Sequence, residues 1–229
     1  MANLKDTLTR VLDPFIDKIA KEISTIKAGM DTTKSIDVVS YGIDNTGATD
    51  VTEKLNELFL KVSKEKYQEV IFPDGTYKIE NPVKIFCPEK MSRSLVIRSE
   101  STYGATIICD HTDASTGESI GFVLTRNAPE NQDSEVLNAY NITIDGFVFK
   151  VKDQDADGSN IKFIGTESTI STLLFTNVKL VNLRMTNTKD CAGNNIDLSA
   201  QCNNLTIDNV KTNYGMYAVY LEYSNGINN

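Results

Sequence analysis

Three stretches of this chain share one template. "NITIDGF" begins at Asn141, "NVKLVNL" at Asn177 and "NLTIDNV" at Asn204, each reading Asn, apolar, polar, apolar, any residue, Gly or Asn, apolar. Between them, "NIKFI" from Asn160, "NIDLS" from Asn195 and "AVYLEY" from Ala218 alternate apolar and polar residues in a second template. The first series recurs at offsets of 36 and 27 residues, the second at 35 and about 23. Interleaved strands that recur in this way describe a solenoid, in which each coil contributes the same strands and unequal loops make the coils unequal. A sandwich would alternate apolar and polar residues too, but its hairpin-linked strands would repeat no template. A coil of about 22 to 25 residues suits a parallel β-helix, whose inward apolar residues stack coil on coil. Fifteen asparagines between Asn138 and Asn229 fit its corners, because Asn tolerates the left-handed backbone of a sharp turn.

Upstream, "SYGIDNTGATDVTEKLNELF" places Gly42 and Gly47 ahead of a helical run. The glycine spacing matches a phosphate-binding loop, but Ala48 and Thr49 stand where that motif needs Lys and Ser or Thr, so nucleotide binding is not expected. Asp50 and Glu53 have the spacing of a capping box with Asp in the Ser/Thr place. Val51, Leu55, Leu58, Phe59 and Val62 form one apolar helix face. The loop therefore starts a helix that covers a core. Pro73, Asp74 and Gly75 then predict a turn between strands at 70–72 and 76–79.

In the first thirty residues Leu4, Leu8, Leu12, Phe15, Ile19, Ile23, Ile26 and Met30 recur at gaps of four and three that sum to an eleven-residue repeat. Such a repeat is 3.67 residues per turn, so its seam can face a partner along a nearly straight helix. A self-associating helical stem is expected over 1–34, divided at Pro14 with Asp13 as N-cap, and "GMDTTKS" reads as the linker after it. The alternative is an amphipathic helix packed on its own domain. Beyond the stem, the pattern assigns 35–92 to a helix-capped start of the β-helix and 93–229 to its coils.

The formal net charge of −8, with no stripe of Lys and Arg, argues against nucleic acid as a partner. No apolar run is long enough to span a membrane, and Asp6, Arg10 and Asp13 interrupt the opening residues where a secretion signal needs apolar ones, so neither is expected. Cys87, Cys109, Cys191 and Cys202 lack any C-x-x-C pair and read as buried, reduced thiols. The single histidine, His111, lies in a polar, turn-rich stretch and reads as exposed.

The order strand, "YGIDNTGATDVTEKLNELF", "VIFPDGTYKI" and asparagine-rich coils resembles the N-terminal part of the pectate-lyase-like right-handed β-helix family, and within it the tailspike and tail-appendage branch of bacteriophages. The resemblance covers roughly residues 36–229. It implies that Gly42, Gly47, Asp50 and Thr52 start a helix closing the open end of the solenoid, and that "FPDGTY" makes the first coil. A helical stem ahead of it is similar to a trimeric spike: a virion-located homotrimer joined by residues 1–34 to other tail proteins, presenting its solenoid to bacterial surface polysaccharide. Only three or four coils are recognisable.

Candidate chemistry is sparse. Asp145 and Asp208 occupy equivalent template positions with Val181 between them. Two coils apart they would stand roughly 9 to 10 Å from each other, at the upper limit of an inverting glycosidase pair, and solvated surface acids are the competing reading. A polysaccharide lyase or glycoside hydrolase is the alternative function, although the Gly-His-Gly and Asp-Asp signatures of the polygalacturonase branch are absent. In "DQDADG", Asp153, Asp155 and Asp157 have the alternation of a calcium loop, but Ile164 stands where the bidentate Glu belongs. No cofactor is required, and calcium is the one candidate ion.

Overall fold

The computed structural model describes residues 18–19, 34–65, 67–88, 91–111, 118–125, 137–152, 157–163, 173–187, 194–198, 201–214 and 217–221. The chain divides into two units, Met1–Lys34 and Ser35–Asn229. In the first, Lys18 and Ile19 are helical and exposed. The other stem positions, Leu4, Leu8, Leu12, Phe15, Ile23, Ile26 and Met30, lie outside the described residues, as does Pro14. A stem is therefore not part of the fold described below.

The second unit is a stack of three parallel sheets. The first holds β1 (Ser35–Asp37), β3 (Glu69–Phe72), β6 (Leu95–Ser99), β9 (Leu137–Asp145), β12 (Leu173–Val181) and β15 (Gln201–Asp208), in that spatial order. The second holds β2 (Thr46–Asp50), β4 (Gly75–Ile79), β7 (Ala105–Cys109), β10 (Phe147–Val151), β13 (Arg184–Thr186) and β16 (Lys211–Asn213). The third holds β5 (Val83–Phe86), β8 (Glu118–Thr125), β11 (Asp157–Phe163), β14 (Asn194–Leu198) and β17 (Tyr217–Leu221). Every strand pairs with its counterpart one coil away, so the described residues wind as a parallel β-helix of six coils. "FPDGTY" belongs to the second coil, because β1 and β2 precede it.

In the first coil the third sheet has no strand. Helix α1 (Thr52–Glu65) takes that place and is the one complete helix among the described residues. Its stripe Leu55, Leu58, Phe59 and Val62 is buried on the end of the core, which at about 1.5 to 3 kcal/mol per large apolar side chain is the main term holding it there.

The interior is a column of apolar side chains. Phe72 meets Tyr77 and Phe147 edge to face, with centroids 5.1 Å apart in both pairs, and Phe122 meets Phe149 at 5.0 Å. Parallel, in-register strands stack equivalent residues, so Tyr77, Ile107 and Phe149 fall in one buried row. Cys87, Cys109 and Cys202 are buried free thiols. His111 is half-buried rather than exposed, its Nε2 accepting a hydrogen bond from the Ile120 amide at 3.2 Å.

Candidate functional site

The asparagines of the first template have two structural duties. Asn141, Asn177 and Asn204 adopt left-handed backbone, with φ of 51°, 59° and 58°. Each resets the in-out alternation of its strand: Ala139, Phe175 and Cys202 point inward before it, and Ile142, Val178 and Leu205 point inward after it. Asn is the residue that holds such a bend at low cost while leaving an amide to pair. Asn204 Nδ2 donates to Asn177 Oδ1 at 2.6 Å, and Asn177 Nδ2 to Asn141 Oδ1 at 2.8 Å. Asn141 Nδ2 then donates to the Met91 and Arg93 carbonyls at 2.6 and 2.9 Å.

A second ladder runs along the corner between the first and second sheets. Asn209 Nδ2 donates to Asn182 Oδ1 at 2.8 Å, and Asn182 Nδ2 donates to Asp145 Oδ1 at 2.9 Å. Gly146 supplies the left-handed residue at the corresponding corner of the fourth coil, with φ of 83°. Asp145 is thus the acceptor that ends this ladder. Asp208 occupies the same column two coils away, with Val181 between, as the template implies. Their backbones stand roughly 9.6 Å apart at about 4.8 Å per coil. Asp208 is exposed, and Asp145 is half-buried against the ladder.

A third, buried set joins the second and third sheets. Asn160 Nδ2 donates to Asn187 Oδ1 at 2.9 Å and Asn195 Oδ1 at 3.1 Å, and Asn195 Nδ2 donates to the Tyr214 carbonyl at 2.9 Å.

The lid is built from Gly42, Asp44, Gly47, Asp50 and Thr52. Gly42 and Gly47 have φ of 91° and 77°, in the left-handed region that glycine adopts without a Cβ penalty. Asp44 accepts from the backbone and hydroxyl of both Thr46 and Thr49. Those hydrogen bonds, the Thr46 hydroxyl first, hold its carboxyl down at about 2. Asp50 accepts from the Thr52 hydroxyl and amide at 2.6 and 3.0 Å and from the Glu80 amide at 3.0 Å. Burial pushes its pKa up, but these bonds outweigh burial and the net direction is down. Glu53 stands exposed in the first turn. Asn56 Oδ1 accepts the amide of Lys84 at 2.7 Å. Because β5 is the edge of the third sheet, Asp50, Thr52 and Asn56 satisfy backbone donors that a missing strand would otherwise leave open.

Asp153 and Asp155 lie outside the described residues, and Asp157 is the first residue of β11. Among the described residues no cluster of acidic, Cys or His side chains is arranged to hold a metal ion, and no helix is long and apolar enough to cross a membrane. A pocket between the end of α1 and β5 is lined by Val62, Lys64, Tyr67, Phe86, Arg93 and Leu95 and contains neither candidate carboxylate.

Three sheets in parallel coils, closed at one end by a helix, define a parallel β-helix protein. A family model described as rhamnogalacturonase A/epimerase, pectate lyase-like, matches residues 35–228, and the chain belongs to that family. Two solved structures share the fold. The surface protein and adhesin PfbA of Streptococcus pneumoniae aligns with TM-score 0.53 and 16% identity, over 80% of this chain and 42% of that one. ORF18 of Geobacillus virus E2 aligns with TM-score 0.50 and 15% identity, over 82% of this chain and 38% of that one. The chain therefore spans about two fifths of each. No curated protein matches it in sequence.

Proposed function

We propose that this chain is the virion-proximal part of a trimeric phage tailspike or tail appendage, attached to the virion through residues 1–34 and presenting its β-helix to bacterial surface polysaccharide. The observation that carries the reading is the order of parts: an eleven-residue apolar repeat, a linker, then a β-helix whose first coil is closed by α1. The fold shared with a phage protein supports it. The outward carboxylates favour binding over chemistry, since Asp145 is engaged by Asn182 and separated from Asp208 by the Val181 coil.

A second reading, favoured by the family's name, is a polysaccharide lyase or hydrolase acting as a monomer. Native mass at low micromolar concentration, measured beside the paired Ile19→Asp and Ile26→Asp variant, separates the two. Three copies in the parent chain and one in the variant support the spike. One copy in both, with reducing ends or unsaturated sugars released from a bacterial surface glycan, would establish the enzyme instead.

A further inference from the structure

We propose that the pocket between the end of α1 and the strands β5 and β6 binds a small aromatic monocarboxylate. The site lies at the helix-closed end and does not depend on the glycan reading above. Its cavity measures about 150 Å³, and an apolar cavity of about that volume takes up one benzene ring. Val62 from α1, Cys87 just after β5 and Leu95 at the start of β6 give it a buried apolar floor, with half-buried Tyr67 and Phe86 beside them.

Two cations and no acid complete the lining. Lys64 is exposed in the last turn of α1, and Arg93 is half-buried two residues ahead of β6. Neither side chain has an ion pair or hydrogen bond among the described residues. The acids that flank the end of α1 are engaged elsewhere, Glu65 with Lys61 at 4.0 Å and Glu69 with Arg98 at 2.7 Å. A guanidinium offers two N–H groups in one plane, which a carboxylate meets with both oxygens. The helix ends here too, and the open carbonyls of a helix C-terminus carry about half a negative charge. The net field is therefore below two positive charges, and a monoanion matches it better than a phosphate dianion.

The walls are tied in place without a ligand. Asn141 Nδ2 holds the Met91 and Arg93 carbonyls at 2.6 and 2.9 Å, so the ladder of the first sheet ends on the segment that presents Arg93. The Val96 amide donates to the Gln68 carbonyl at 2.8 Å, and the Cys87 amide to the Thr125 carbonyl at 2.8 Å. Such pre-ordering lowers what binding must immobilise. A molecule touching α1 on one side and β6 on the other stabilises the closed lid, since it binds only the folded chain.

The test is equilibrium dialysis of the full chain against benzoate, with Tm measured alongside. Acetate supplies the charge without the ring, benzyl alcohol the ring without the charge, and phenyl phosphate the dianion. Saturable benzoate binding that raises Tm, at least about tenfold tighter than acetate or benzyl alcohol, is the expected result. Arg93→Gln should lose about tenfold, Ser63→Phe should block the pocket from the α1 side, and Lys150→Gln on the second sheet should bind as the parent does. Arg93→Gln removes a side chain that no other group relies on, so it decides the matter even where Ser63→Phe disturbs the fold. Benzoate binding undiminished in Arg93→Gln overturns the site, and absence of saturable binding overturns the proposal. Benzyl alcohol or acetate as tight as benzoate overturns the aromatic carboxylate, and tighter phenyl phosphate overturns the monoanion. Each of these failures leaves the spike reading untouched.

Discussion

Asn209 Nδ2 donates a hydrogen bond to the phenolic oxygen of Tyr103 at 3.1 Å, across 106 residues of sequence. Tyr103 sits at the corner of the third coil in left-handed backbone, φ 69°, with its amide donating to the Gly146 carbonyl at 2.6 Å. Its side chain reaches along the corner to the sixth coil, under Arg184 of the fifth. Tyr103 ties together coils whose strands do not pair.

The ladders make distinct predictions for two substitutions at one position. Asn177→Gly keeps the left-handed bend but loses both amide contacts, and should cost about 1 to 3 kcal/mol. Asn177→Ala loses the same contacts and keeps a Cβ in that bend without the polar group that lets Asn adopt it, about 1 to 2 kcal/mol worse than the Gly variant. Urea unfolding should therefore rank parent, Gly variant, Ala variant. An Ala variant as stable as the Gly variant would mean that the backbone bend contributes little.

Acid should weaken the lid and the corner between the second and third sheets. Asp44 is held at about 2 by its Thr46 and Thr49 bonds, Asp50 is lowered despite burial, and Asp110 is lowered, chiefly by the Lys152 hydrogen bond. A depressed carboxyl stabilises the fold fully above the unfolded value of about 3.9 and loses that contribution as pH falls through the folded value. The Tm should be level near neutrality and fall below about pH 4. In Asp50→Asn and Asp44→Asn variants the fall should be shallower; a parallel fall would count against these groups.

Removing the helix face should expose a sheet edge. Phe59→Ala leaves a cavity under α1 and should cost about 3 to 5 kcal/mol. Asn56→Ala leaves the Lys84 amide without its acceptor, at about 1 to 3 kcal/mol. Both should raise light scattering on mild heating, Phe59→Ala more strongly, because an open edge templates pairing with other chains. Loss of stability without aggregation would show that α1 packs on the edge but does not guard it.

The thiols of Cys87, Cys109 and Cys202 should be silent toward a thiol reagent in the native protein and react on unfolding. Burial raises all three, Cys109 and Cys202 to about 12 and Cys87 further, which removes the reactive thiolate. Native-state labelling of any of the three, identified by peptide mapping, would contradict this packing.

Two sheets of the later coils were legible in the sequence because β9, β12 and β15 share the Asn template and β11, β14 and β17 share the alternation. The second sheet was not, since β13 and β16 are three residues each and too short to alternate visibly. Six coils form among the described residues, three or four of which are recognisable in the sequence. In the early coils the corner that Asn182 and Asn209 occupy later is formed by residues 73–74 and 100–104, so no template marks it. The helix start was legible through Gly42, Gly47 and Asp50. Asp44 was missed, although its spacing to Thr46 and Thr49 is the local signal of side chains that bond nearby backbone. The position of Asp145 was readable, but its role as the last acceptor of a ladder depends on which coil lies beside it.

The amide ladders have a direction. Asn204 donates to Asn177 and Asn177 to Asn141, while Asn209 donates to Asn182 and Asn182 to Asp145, toward the helix-closed end; the buried set of Asn160 and Asn195 donates the other way. Along these two corners each coil meets its acceptors on the coil before it, nearer the lid. Coils added beyond the sixth would extend the axial reach of such a molecule while leaving the tie between Tyr103 and Asn209 intact.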